Sequence, residues 1–167
     1  LVDIAGSVTL VRTVADDNDA DNDGIGDGLN PTAGGNPVAI GGNVLIQGAR
    51  FRDSGGVADH QERGVFIASV NGAVAFGDST GVVQSNIVTG NEAGGVLIGD
   101  GGTTATFVNG TYSNNGTLAG HDGIDLNSFS GLVGLSGVTA DSNRDSGIRI
   151  NNAGSVSVTN GSASSNG

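Results

Sequence analysis

The sequence predicts an all-β solenoid of about five to six coils, with three short strands in each. Three observations carry this. First, one phrase recurs four times: Gly64-Val65-Phe66-Ile67, Gly95-Val96-Leu97-Ile98, Gly123-Ile124-Asp125-Leu126 and Gly147-Ile148-Arg149-Ile150, with starts 31, 28 and 24 residues apart. A period of this size marks units that bury their apolar faces only against neighbours. Second, a later phrase follows in each unit, as Ser85 to Asn91, Asn109 to Asn115, Ser136 to Asn143 and Asn160 to Asn166, and a degenerate copy spans Gln47 to Asp53. Third, apolar residues alternate by two and never hold helical spacing for three turns, while Gly supplies 32 of 167 residues.

The elements follow in order. Residues 1–15 contain the alternating stretch Val8-Thr9-Leu10-Val11-Arg12-Thr13-Val14, read as a first strand, a cap, or a segment donated to another subunit. Residues 16–30 form an acidic turn-rich loop, and residues 31–167 carry the coils. Between the two recurring phrases lies a third apolar alternation, clearest at Thr106-Phe107-Val108 and Val156-Ser157-Val158. β-Branched residues suit the strands, while Gly, Asn, Asp and Ser suit the bends. Asn91, Asn115, Asn143 and Asn166 share one phase, which predicts an amide ladder running from coil to coil. The chain stops in mid-repeat at Ser164-Ser165-Asn166-Gly167, so either the array continues or another molecule covers its end.

These phrases, over residues 38–167, resemble the right-handed parallel β-helix family, the fold of pectate lyases, polygalacturonases, phage tailspikes and many bacterial surface proteins. The resemblance implies the fold and leaves function open, because lyases, hydrolases and structural spacers share it.

Composition narrows the function. There is no Cys, Trp, Met or Lys, all six basic residues are Arg, and formal net charge is −11. That charge argues against nucleic acid and anionic membranes. No run of 18 apolar residues could span a bilayer. The start at Leu1, without Met or a leader, fits a removed signal peptide or a fragment of a longer chain, and the favoured expectation is a processed extracellular or cell-surface protein of bacterial type.

The strongest chemical motif is the run Asp16-Asp17-Asn18-Asp19-Ala20-Asp21-Asn22-Asp23-Gly24-Ile25-Gly26-Asp27-Gly28-Leu29-Asn30. Carboxylates at alternate positions can converge on a hard cation, and Ca²⁺ takes roughly six to eight oxygens. Residues 19–30 resemble the calcium repeat of thrombospondin type 3, with the pattern D-x-D-x-D-G-x-x-D-x-x-D/N. The expected ligands are Asp19, Asp21, Asp23, Asp27 and Asn30, with Asp17 reaching a second ion, so calcium is the expected cofactor. It would fix residues 1–15 against the coils.

Two residue groups invite a catalytic reading. Gly120-His121-Asp122-Gly123-Ile124-Asp125, with Arg149 one coil later, partly resembles the Gly-His-Gly and Arg-Ile-Lys phrases of polygalacturonase-like hydrolases. Asp122 replaces the second Gly, and the Lys is missing. Alternation instead turns Asp125 and Arg149 outward as a cross-coil ion pair, and this reading is preferred. Arg144 with Asp141 and Asp145 imitates a lyase base, but such residues are common at turns. His60, in Asp59-His60-Gln61-Glu62-Arg63, reads as part of a solvated insertion. Asn109, Asn115 and Asn160 fit the glycan acceptor pattern.

The sequence therefore points to a secreted, calcium-stabilised structural subunit that assembles head to tail with copies of itself into a filament, surface appendage or adhesin stalk. The alternative is a carbohydrate-active or polysaccharide-binding protein.

Overall fold

The computed structural model describes residues 4–16, 26–33, 36–53, 61–78, 80, 85–116 and 121–167. Its strands are β1 (Val8–Val11), β2 (Val14–Asp16), β3 (Thr32–Ala33), β4 (Asn36–Pro37), β5 (Ala39–Ile40), β6 (Val44–Gln47), β7 (Arg50–Arg52) and β8 (Arg63–Val70). They continue as β9 (Val74–Phe76), β10 (Ile87–Thr89), β11 (Gly94–Asp100), β12 (Ala105–Val108), β13 (Thr111–Ser113), β14 (Ile124–Ser136) and β15 (Ile148–Thr159). All pairings are parallel except the short antiparallel pair β3–β4.

The expected right-handed β-helix of five to six coils, with three separate short strands in each, is corrected by this topology. The strands assemble into one nine-stranded sheet and a second, four-stranded sheet. Eight strands of the large sheet follow the path β1-β6-β9-β12-β14-β11-β8-β5, and β15 adds to β14. The cause lies in β14, which runs 13 residues where the repeat predicts a corner between short strands. Its first half pairs β11 and its second half pairs β12, so two lines of pairing become one sheet. The strand bends instead of breaking: Ser128 takes φ 61°, and the register against β15 shifts between Phe129 and Leu132. Ile4 bridges Ile40 of β5, four residues before β1, so both ends of the path return to one segment. The sheet is thus barrel-like and nearly closed.

Side-chain alternation decides what lies inside. In β6 and β9 the pattern is buried, partly exposed, buried, partly exposed, as Val44, Leu45, Ile46 and Gln47 show. Parallel in-register pairing then stacks like on like: Val44 and Ile46 meet Val74 and Phe76, which meet Ala105 and Phe107. Each fully buried Val, Ile or Phe contributes about 1.5–3 kcal/mol before entropy is counted. Phe76 and Phe107 stack with centroids 4.6 Å apart, and Tyr112 meets Phe107 edge-on at 5.6 Å. A small aromatic core therefore exists despite the sparse aromatic content.

The predicted amide ladder is present. Asn91 Nδ2 donates to Asn115 Oδ1 at 2.8 Å, Asn115 Nδ2 to Asn143 Oδ1 at 3.0 Å, and Asn143 Nδ2 to Asn166 Oδ1 at 3.2 Å. The backbone N–H groups of Asn91, Asn115 and Asn143 donate to the same oxygens. Gln61 begins the ladder, donating to Asn91 Oδ1 at 2.6 Å. It is fully buried, so Gln61 itself is not solvated as the insertion reading expects. Burying the asparagine amides is tolerable because Asn91, Asn115 and Asn143 find partners along the ladder, whereas Gln61 Oε1 is left without a donor.

Candidate functional site

The row Phe66, Leu97, Asp125 and Arg149 runs across β8, β11, β14 and β15 in exact register order of pairing, on the outward side of residues whose neighbours point into the core. Alternation by two makes this unavoidable: Val65, Val96 and Ile124 are buried, so the next residue in each strand faces away. A pocket of about 190 Å³ opens over this row, lined among others by Arg63, Leu97, His121, Asp122, Asp125 and Arg149. His121, Asp122, Asp125 and Arg149, singled out from the sequence, are therefore brought together.

Their chemistry centres on one guanidinium. Arg149 Nε lies 2.8 Å from Asp122 Oδ2, and its Nη2 donates to Asp125 Oδ2. The predicted Asp125–Arg149 pair is thus present, and Asp122 joins it. The Asp122 side chain is 1% exposed and that of Arg149 46%. Asp122 Oδ1 accepts the Ser146 N–H at 2.9 Å, which ties the strand entry at Gly147 to the carboxylate. Oδ2 faces Arg149 without an aligned hydrogen bond. Desolvation raises the Asp122 pKa, and the Ser146 N–H and Arg149 only partly oppose it. The hydrogen bond that Arg149 donates to Asp125 raises the Arg149 pKa. As it stands, the arrangement is a shared ion pair, with one buried carboxylate beside an open pocket.

Arg63, on the opposite rim, was not legible as a site residue. Its side chain contacts Glu62 at 2.9 Å and Asp27 at 3.7 Å, and its Cζ lies 5.2 Å from the Phe66 ring centre. The signal available was its place just before the Gly64 phrase, at a strand start.

Of the expected calcium ligands, Asp17, Asp19, Asp21 and Asp23 lie outside the described residues, as does His60. Asp27 and Asn30 are described. Asn30 Nδ2 donates to Asp27 Oδ2 at 2.6 Å, and the Arg63 N–H donates to Asp27 Oδ1 at 3.1 Å. Burial raises the Asp27 pKa against the lowering effect of Arg63. Asn30 Oδ1 is buried with no donor. Such an oxygen fits a cation ligand, so these two residues are compatible with calcium at the end of the acidic run. Among the described residues no group of three or more His, Asp or Glu side chains is placed to hold a metal.

The remaining candidates separate. Asp141 accepts from the Ser164 N–H at 2.7 Å and the Ser162 hydroxyl at 2.8 Å, and the backbone bond above all lowers its pKa. It clamps the segment after β15 and forms no ion pair with Arg144 in this arrangement. Asn115 is fully buried within the amide ladder, so it is closed to glycan attachment, whereas Asn160 is exposed.

Comparison of the chain with protein-family models, with curated proteins and with solved structures finds no match.

Proposed function

We propose that the chain is a structural subunit that assembles head to tail with copies of itself into an extracellular filament or surface appendage, with calcium held by its acidic segment. The observation that carries this reading is the likeness of the two open edges. Three lines of parallel pairing begin at Ile4, β1 and β2, and they finish at the two halves of β15 and at Ser162. Val156 and Val158 occupy the positions held by buried Val133 and Leu135 one strand earlier, yet they are 52% and 55% exposed. At the opposite edge Val8 and Leu10 pair with Val44 and Ile46, and among the described residues β1 has no strand on its other side. A second copy's β1 laid on β15 would continue the same alternation and pair the free backbone groups. The two edges differ, so the contact is heterologous and propagates unless its rotation closes a ring.

Calcium belongs to this reading through the acidic run. Bound near Asp27 and Asn30, it would offset the mutual repulsion of the carboxylates and hold the connection between β2 and the strands that follow.

The test is electron microscopy with light scattering, in millimolar calcium and after chelation, on the parent and on a Val156→Lys/Val158→Lys variant. The parent is expected to form concentration-dependent filaments, which the variant loses while keeping its circular dichroism. Monodisperse particles of the parent at every concentration, with or without calcium, would overturn assembly. Filaments indifferent to chelation would remove calcium from the proposal.

A further inference from the structure

The pocket over the Leu97–Asp125–Arg149 row opens on the outward face of the sheet and reaches the β15 edge only through Arg149, and its lining selects a class of ligand. We infer that it binds one neutral, polyhydroxylated ring of monosaccharide size. The charged groups on its wall are Asp122, Asp125, Arg63 and Arg149, two of each sign. Each is already paired, Arg149 with both aspartates and Arg63 with Asp27 and Glu62. A net anion entering would meet two carboxylates, and a net cation would meet two guanidinium groups. A neutral ligand meets neither penalty.

What the paired groups still offer is hydrogen bonding in both directions. The Asp122 side chain is 1% exposed and its Oδ2 is buried against Arg149, so Asp122 holds the guanidinium in place, while Asp125, whose side chain is 10% exposed, presents the reachable carboxylate. The guanidinium of Arg149, nearly half exposed, retains N–H groups beyond its two carboxylate contacts. His121 adds a group that can donate or accept. Adjacent hydroxyls, each both donor and acceptor, match alternating carboxylate oxygens and guanidinium N–H groups. Leu97 and Val96 supply an aliphatic wall for the C–H face of a ring, and the volume of about 190 Å³ admits one such ring.

The experiment is ligand-observed NMR and calorimetry with D-glucose, D-galactose, D-mannose and N-acetyl-D-glucosamine, each tested alone against the folded chain. Galacturonate, glycine and cadaverine serve as the anionic, zwitterionic and cationic comparisons. At least one neutral sugar is expected to saturate with a Kd of about 1–10 mM, the range for a single ring held by a few contacts. Leu97→Lys, on the pocket wall and outside the ion-pair set, should weaken that sugar at least tenfold with an unchanged melting curve. Asp125→Asn should do the same where it still folds. Absence of saturation by every neutral sugar to about 100 mM, or tighter binding of any charged comparison, would overturn the inference. So would a sugar affinity untouched by Leu97→Lys. Loss of filaments in the Val156→Lys/Val158→Lys variant bears only on assembly, since neither residue lines this pocket.

Discussion

Replacing Asn115 with Ala tests whether the buried amide ladder holds the structure together. Asn115 Oδ1 accepts from the Asn91 N–H at 3.2 Å and from Asn91 Nδ2 at 2.8 Å. Its Nδ2 donates to Asn143 Oδ1 at 3.0 Å and to the Val88 carbonyl at 3.2 Å. Truncation leaves two donors on Asn91 without an acceptor, and Asn91 is fully buried, so bulk water cannot replace the lost oxygen. Each orphaned donor costs about 1–3 kcal/mol, which gives a loss of about 2–6 kcal/mol. That is a large share of the ~5–15 kcal/mol that usually separates folded from unfolded chains. Asn151→Ala removes a similar amide bond, to Asn127 Oδ1 at 2.9 Å, on the exposed face. It should change stability by no more than about 0.5 kcal/mol. Urea denaturation followed by circular dichroism measures both, with the slope checked for two-state behaviour. Equal losses in the two variants, or a loss below about 1 kcal/mol for Asn115→Ala, would refute the reasoning from unsatisfied buried donors.

Other perturbations follow from the same geometry. Gly77 sits at φ +94°, and a Cβ there would overlap the Val108 carbonyl oxygen, so Gly77→Ala should cost at least about 2 kcal/mol. Gly134→Ala, whose Cβ would have nothing nearer than 3.9 Å, is the near-neutral comparison in the same denaturation assay. Arg149→Gln strips both carboxylates of their counter-charge and should lose about 1–3 kcal/mol, less than for a fully buried pair because the Arg149 side chain is 46% exposed. A second change, Asp125→Asn, should restore part of it, and a double-mutant cycle reads the coupling. Two aspartates give opposite pH signatures. Asp122 is raised above 3.8, so between 3.8 and its folded value the native state holds more protons and the contribution of Asp122 to stability falls as pH rises. Asp141 is lowered, so its contribution is present above 3.8 and is lost as pH falls through its folded value. Relative to the parent, Asp122→Asn should therefore gain stability with rising pH and Asp141→Asn should lose it, which denaturation curves from pH 3 to 6 would show; flat differences would contradict both assignments.

The sequence carried the all-β character, the amide ladder and one ion pair, though not the sheet architecture, because periodicity and phase are local facts. Asn91, Asn115, Asn143 and Asn166 fall at one phase of the repeat, and an amide at that phase has one direction to point. Asp125 and Arg149 were readable as a pair for the same reason, each sitting third in a Gly-led phrase. Gln61 was hidden by its identity and company: a Gln where the others are Asn, flanked by His60 and Glu62, it looks like solvated chain until its burial is known. Asp122 was visible as an acid beside His121, but its claim on Arg149 needed the geometry of the preceding strand entry. The joining of two strand lines through β14 was not legible either. A repeat of separate short strands does not foresee a strand running through Ser128, Phe129 and Ser130, and only the positive φ at Ser128 with pairing maintained on both sides shows that the sheet bends there without ending.

The spacing of the parallel pairs has a consequence for how the chain reaches this structure. From Val133↔Val156 to Phe51↔Val88, paired residues of the two large sheets lie 23 to 37 apart. Loop-closure entropy grows only with the logarithm of that length, so the longest and shortest closures differ by about 0.4 kcal/mol. No pairing is therefore favoured as a starting point by its loop. Burial decides instead, and it is deepest around Phe76, Phe107 and Tyr112, where the closure of one strand presents a wall of rings to the next. Refolding should spread outward from that middle in both directions. β15, whose residues stay largely exposed, would be recruited last and released first, which makes the edge that the proposed assembly would use also the described strand most ready to fray.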